Sequence, residues 1–286
     1  MLKLRLLTAA ILVPLMVWAT YALSTFWLGA LMGVFILAAA WEWTSLCGLS
    51  RTWVRILYIT GVAGLGLWLY YQYIVGVADI NGLRHYAPLL PLMLASAAWW
   101  LLALFEMITR HDASAGLLAS GPGRLISGFF VLLPTWIAPL WLHGHQPQGW
   151  RLVLFMMVLV WTADSGAYFV GRPWGKTKIA PHISPGKSLE GVLGGLAAVV
   201  LVAWFSGVWI WQFSADKLWT WVMLAAVVAL VSVVGDLVES RFKRAAGVKD
   251  SGHLLPGHGG VLDRIDALTA AAPFFVIGWL TLGLST

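Results

Sequence analysis

Between Ser240 and Asp266 the chain reads SRFKRAAGVKDSGHLLPGHGGVLDRID, and with Asp236 and Glu239 just before it this run carries five bases and five acids. Asp236, Ser240 and Lys243 are spaced i, i+4 and i+7, so on a helix they share one face. Asp263 and Asp266, at i and i+3, share a face at the start of the last apolar segment. Two helices meeting there bring three carboxylates together. Such an all-oxygen set suits Mg²⁺, which binds through one or two carboxylates plus substrate phosphates. The competing reading is a pair of solvated helix ends with surface ion pairs, and it serves Glu239 and Arg241 equally well. It serves Asp236 poorly, because the segment from Leu218 to Gly235 carries no charge. Between the two helices, GHLLPGHGG offers backbone amides that can approach an anion closely. His258, Gly259 and Gly260 are therefore candidates for substrate contact, against the plainer reading of a tight loop. His253 and His258 lack a third zinc ligand at a familiar spacing.

A second polar block reads TADSGAYFVGRPWGKTKIAPHISPGKSLEG over 162–191. Asp164 falls late in an apolar segment, where a carboxylate must face the protein interior, a metal or water. Gly171 to Thr177 is one residue short of a P-loop and follows a helix instead of a strand, so it is not a Walker motif. Ser184, Lys187 and Ser188 precede a helix, and hydroxyls and an ammonium at a helix N-terminus make a ready anion site. A helix cap with Glu190 in the first turn is compatible with that role. Glu42 and Glu106 stand at helix ends, where interfacial or pairing roles are the default. His143 and His145 are expected in an outer loop meeting water. The single Cys47 excludes an intramolecular disulfide and reads as a small apolar residue near a helix end.

These groups sit in a chain of 286 residues that is 60% hydrophobic and only 10% charged. Nineteen tryptophans suit the bilayer interface. The apolar blocks are continuous, as in Gly191–Phe213, which excludes an alternating β-barrel pattern. The expected fold is an all-α polytopic integral membrane protein with about nine transmembrane helices, near 5–23, 26–47, 54–76, 87–108, 125–142, 151–170, 190–212, 217–240 and 266–284. Met1–Ala22 lacks a small-residue cleavage site and reads as the first span. Nine spans from a cytoplasmic N-terminus put 15 of the 18 bases on the cytoplasmic side, leaving only Arg84, Arg151 and Lys217 outside. The net charge of +6 then describes that face and does not point to nucleic acid. Residues 1–150 hold the first five spans. Residues 151–286 form the catalytic region, with two long polar loops. No internal repeat or soluble domain is visible.

The run Ser240-x-Phe242-Lys243-Arg244-x4-Lys249-Asp250-x-Gly252-x2-Leu255-Pro256-x-His258-Gly259-Gly260-Val261-x-Asp263-Arg264-Ile265-Asp266 resembles the signature of the phosphatidate cytidylyltransferase (CDP-diacylglycerol synthase) family. Asp164-x-Gly166-Ala167-Tyr168 and Ser184-Pro185-x-Lys187-Ser188-x-Glu190-Gly191 are similar to its other polar blocks. Gly186 stands where many members carry a second lysine. The resemblance covers the second half well, and the first half agrees only in being hydrophobic and multi-spanning. It implies that CTP and phosphatidic acid give CDP-diacylglycerol and pyrophosphate with Mg²⁺. It also implies a homodimer in a bacterial inner membrane, with its site open to the cytoplasm. Under that reaction Asp236, Asp263 and Asp266 hold one or two Mg²⁺ ions, with Asp164 as a further ligand or a partner behind them. Lys243, helped by Ser240, neutralises the reacting phosphates. Ser184, Lys187 and Ser188 hold nucleotide or lipid phosphate, and Arg244, Lys249 and Arg264 face anionic lipid or triphosphate.

Two other classes fit parts of the pattern. A CTP-dependent polyprenol or dolichol kinase would phosphorylate a lipid alcohol and release CDP. An anion or proton-coupled transporter would use Asp236 and Asp164 as coupling groups, but transporters often show inverted repeats and midplane sites. Here the acids gather at one surface.

Overall fold

The computed structural model describes residues 2–78, 84–85, 88–110, 112, 115–145, 148–254 and 259–284. Among the described residues nine α-helices follow one another: α1 (Leu2–Ala22), α2 (Thr25–Leu46), α3 (Thr52–Tyr70), α4 (Leu90–Thr109), α5 (Gly121–His145), α6 (Gly149–Trp174), α7 (Leu189–Trp209), α8 (Ala215–Ala245) and α9 (Leu262–Thr281). They stand close to the nine expected spans. The break between α1 and α2 falls at Ser24, whose extended backbone (φ −64°, ψ 159°) starts the second helix. A π turn, Tyr71–Val75, closes α3 and ends at Gly76 in the left-handed region (φ 73°). It leads into a minimal antiparallel pair, β1 (Val77–Ala78) with β2 (Arg84–His85), which the hydrophobic pattern does not signal.

Among the described residues, seven helices, α2 to α8, are long and apolar enough to cross a membrane. Among the residues with described side chains, α1 contributes the apolar stretch Ala10–Ala22. Helix α9 opens with Asp263, Arg264 and Asp266, so polar groups occupy its first turns.

Small residues let the helices approach. A Cβ on Gly235 of α8 would lie 2.6 Å from the Asp266 carbonyl oxygen and 3.0 Å from the Ala270 Cβ of α9. Without a hydrophobic driving force between helices in lipid, such backbone proximity is a main source of packing energy. Helix α9 also packs on α5, α4 and α2, which ties the two halves of the chain into one bundle. Trp43, Trp221 and Phe275 are fully buried, and Phe155 stacks on Trp221 with centroids 4.3 Å apart.

Side-chain contacts sort the helix ends. Arg55 at the start of α3 donates to Thr44 Oγ1 near the end of α2 (2.7 Å), and Arg124 at the start of α5 donates to the Leu46 carbonyl (3.0 Å). Arg244 at the end of α8 donates to the Ile183 carbonyl in the loop before α7 (3.2 Å). These bases therefore gather at one end of the bundle, as the charge bias requires. At the other end His143 does not simply meet water, as the sequence led us to expect. Its Nε2 lies 3.0 Å from the Thr20 carbonyl and its Nδ1 2.9 Å from Thr25 Oγ1, so it fastens the α1–α2 connection to α5.

Candidate active site

The close crossing at Gly235 sets Asp236 of α8 beside the first turns of α9. Asp236 accepts a hydrogen bond from Ser240 Oγ one turn later (3.2 Å) and pairs with Lys187 from the loop before α7 (2.6 Å). Asp266 lies within Coulombic reach of Asp236, Asp164 and Lys243. One of its oxygens accepts from its neighbour's amide, Ala267 N (2.8 Å).

Two turns beyond Asp236, Lys243 reaches across to α9. Its ammonium lies 2.7 Å from Asp263 Oδ1 and 3.2 Å from Glu239 Oε1, with all three side chains below a tenth exposed. Asp263 Oδ2 meanwhile accepts from two backbone amides, Ser251 (3.0 Å) and Gly260 (2.8 Å). Asp263 thus holds the lysine with one oxygen and the preceding loop with the other. Glu239 and Arg241, equally well read as solvated, are both buried instead. Arg241 donates to the Ala115 carbonyl (2.7 Å).

Two cavities meet at this crossing. A polar one of ≈ 520 Å³ is lined by Asp164, Tyr168, Arg172, Ser184, Lys187 and Asp236, among others. An apolar groove of ≈ 380 Å³ runs between α1, α2, α5, α6 and α9, past Met16, Ile36 and Trp161, and ends at Asp263, Arg264 and Asp266. Asp164 lines both. The arrangement offers cations and hydroxyls for an anion on one side, and an apolar trough closed by acids on the other.

The remaining expected residues are placed as follows. Ser188 is buried and accepts the Gly191 amide (3.2 Å) as the cap of α7. Glu190 of the first turn holds the Lys176 and Thr177 amides (both 3.1 Å). Arg244 joins the two polar loops through the carbonyls of Ile183 and Val248. Lys249 and Arg264 are exposed. The amide of Gly260, expected to face substrate, is taken by Asp263, and Gly259 adopts a positive φ of 82° against the same carboxylate. His258 lies outside the described residues. Among the described residues no three His, Cys, Asp or Glu side chains form a ready metal-holding group. The expected three-carboxylate set is not preassembled, because Lys243 and two amides take up Asp263. Asp236 and Asp266 retain hard oxygen donors of the kind Mg²⁺ prefers.

Sequence reasoning missed one residue at the site. Glu42, from the end of α2, is buried against the start of α9, where it accepts from Val261 N (3.0 Å), Leu262 N (2.8 Å) and Ser251 Oγ (3.1 Å). An acid deep in an otherwise charge-free stretch from Leu6 to Leu49 was the available signal. Cys47 fits its bland reading, since burial pushes its thiol up to about 12.

Comparison with known proteins agrees with this picture. The Cytidylyltransferase family matches residues 3–281, so the likeness extends through the first half as well. A phosphatidate cytidylyltransferase of Pseudomonas aeruginosa is 41% identical over 275 residues, covering 96% of each chain. The protein of that name from Haemophilus influenzae is 40% identical over 290 residues, covering 96% of this chain and 97% of its own. The one from Brucella suis is 35% identical over 277 residues, covering 95% and 90%.

Proposed function

The chain belongs to the cytidylyltransferase family, and from that premise we propose that it makes CDP-diacylglycerol and pyrophosphate from CTP and phosphatidic acid. The observation that carries the substrate pair is the meeting of a polar cavity and an apolar groove at Asp164. The polar cavity suits the triphosphate, with Lys187, Ser184 and Arg172 as donors. The groove suits acyl chains, with the lipid phosphate drawn to Arg264 at its polar end.

In the reaction a phosphate oxygen of the lipid attacks the α-phosphorus of CTP. One O–P bond forms, the α–β bridge breaks, and pyrophosphate leaves with the electron pair. The attacking oxygen is already anionic at neutral pH, so no general base is needed. The barrier is repulsion between polyanions and charge developing on the leaving group. Lys187 can exchange Asp236 for a phosphate oxygen. Lys243 faces Glu239 and Asp263 but has three N–H donors, which leaves one for a phosphate. Prearranged cations of this kind act on charge that develops in the transition state. Asp236 and Asp266, with Asp164 near them, would hold Mg²⁺, which would supply further neutralisation of the phosphate charge when bound. Ser240 keeps the Asp236 carboxylate oriented.

The same proposal places the polar end of the bundle on the cytoplasmic side of a bacterial inner membrane, where its bases belong. It includes a homodimer, which light scattering in detergent tests. Neither the lipid-alcohol kinase nor the transporter reading is favoured by the named relatives. Purified protein given labelled CTP, phosphatidic acid and Mg²⁺ should release pyrophosphate and CDP-lipid in equal amounts, and chelation should stop both. Turnover of a lipid alcohol with release of CDP, or transport without CTP turnover, would defeat the proposal.

A further inference from the structure

We propose that Glu42 is a positioning residue for nucleotidyl transfer. From α2 it fixes the start of α9, and so keeps Asp263 and Asp266, and through Asp263 the Lys243 ammonium, in reacting register. The proposal rests on the cytidylyltransferase reading.

Helix α9 has no cap of its own. Its N-cap residue is Val261, whose side chain cannot accept a hydrogen bond. The first amides of a helix need acceptors when buried. Here the two oxygens of Glu42 provide them, Oε1 for Val261 N and Oε2 for Leu262 N, with the Ser251 hydroxyl as a third donor. Glu42 is 2% exposed, so water cannot stand in for it. Gly252 and Gly260 press so close to this carboxylate that a Cβ at either would collide with it. On the other side Asp263 takes the amides of Ser251 and Gly260. Residues 251–252 and 260–262 are thus strung between two carboxylates, with Ser251 and Gly260 touching both. One of the two, Asp263, is the partner of Lys243. A shift of the strung segment therefore moves the lysine's anchor and the first turns of α9 together. Misplacement of reacting groups by about 1 Å can cost on the order of 10²-fold in rate.

Only a carboxylate at this reach fits. Glutamine would turn an N–H₂ group toward donors. Aspartate, a methylene shorter, would not reach both amides.

The test compares Glu42→Gln with Glu106→Gln in the full-length protein. Glu106 is a matched control, because it is also buried and also holds backbone amides (Leu117 at 2.8 Å and Leu118 at 3.3 Å), but not those of α9. Two readouts are taken: kcat and KM per folded enzyme, and amide exchange of the 259–266 peptide without substrate. Glu42→Gln should lower kcat about 10²-fold with KM for CTP within about threefold, and should speed exchange over 259–266. Glu106→Gln should keep kcat within about threefold and leave that peptide protected. Wild-type exchange in Glu42→Gln, or a kcat loss no larger than that of Glu106→Gln, would overturn the inference. Failure of the wild-type protein to turn over CTP with phosphatidic acid would instead overturn the reaction on which it rests.

Discussion

Replacing Asp263 with asparagine separates its role as an anchor from a role as a metal ligand. In the folded protein one oxygen faces Lys243 at 2.7 Å and the other accepts two backbone amides at 3.0 and 2.8 Å. Asparagine has one oxygen and cannot serve both sides. If the oxygen stays with the backbone, the N–H₂ group faces the ammonium and one charge-assisted bond is lost, about 1.5–3 kcal/mol. If it turns to Lys243, two buried amides are left open at about 1–3 kcal/mol each. The first arrangement costs less, and Glu239 still neutralises the lysine. Asp263→Asn should therefore lose about 2–3 kcal/mol of unfolding free energy, below the ~3–5 kcal/mol of a fully broken buried pair. Unfolding in mixed detergent micelles reads this directly. With Lys243 no longer aimed, kcat per folded enzyme should fall 10²–10³-fold, about 2.7–4 kcal/mol of transition-state stabilisation. Combined with Lys243→Met, the two changes should cost clearly less than their sum, because each removes the same contact. A stability loss under about 0.5 kcal/mol, the level of an ordinary surface change, would refute the anchoring argument. Recovery of the rate at high Mg²⁺ would refute it too, since a misplaced lysine is not restored by more metal.

Three other outcomes follow from the geometry. Gly235→Ala must push α8 away from the Asp266 carbonyl or distort it, so kcat should fall by at least about tenfold while the helical circular dichroism is kept. Lys187→Ala removes the partner of Asp236 and a phosphate donor, and steady-state kinetics should show a KM for CTP about tenfold higher, the size of one lost charge-assisted bond. His143→Phe deletes two hydrogen bonds at the end of the bundle away from the site, and should cost about 1–3 kcal/mol in micelle unfolding with kcat within about twofold.

The nine helices were legible because a lipid phase admits only internally paired backbones, as helices or closed barrels, continuous apolar blocks select the helix, and its length follows from the lipid thickness. The cap of α7 was legible for a similar reason, since Ser188 with Glu190 is a local pattern. Pairings between helices were not. That Lys243 would face Asp263 depends on how α8 and α9 cross, and the crossing is set by Gly235, one glycine among thirty, whereas its pairing with Glu239 is the local i,i+4 spacing within α8. Glu42 was further out of reach, because its partners lie 209 to 220 residues away. The lone acid in a charge-free stretch marked it as unusual but could not name those partners. The glycine-rich loop reads in sequence as a nest for an external anion, and among its described residues the Gly260 amide is taken by the protein's own Asp263.

The most direct measurement uses phosphatidic acid labelled with ¹⁸O at all non-ester phosphate oxygens, turned over with unlabelled CTP and analysed by mass spectrometry. Attack by the lipid phosphate on the α-phosphorus predicts CDP-diacylglycerol that keeps every label and pyrophosphate that carries none. Label in the pyrophosphate, or a labelled oxygen missing from the lipid product, would mean that the lipid phosphate is not the nucleophile.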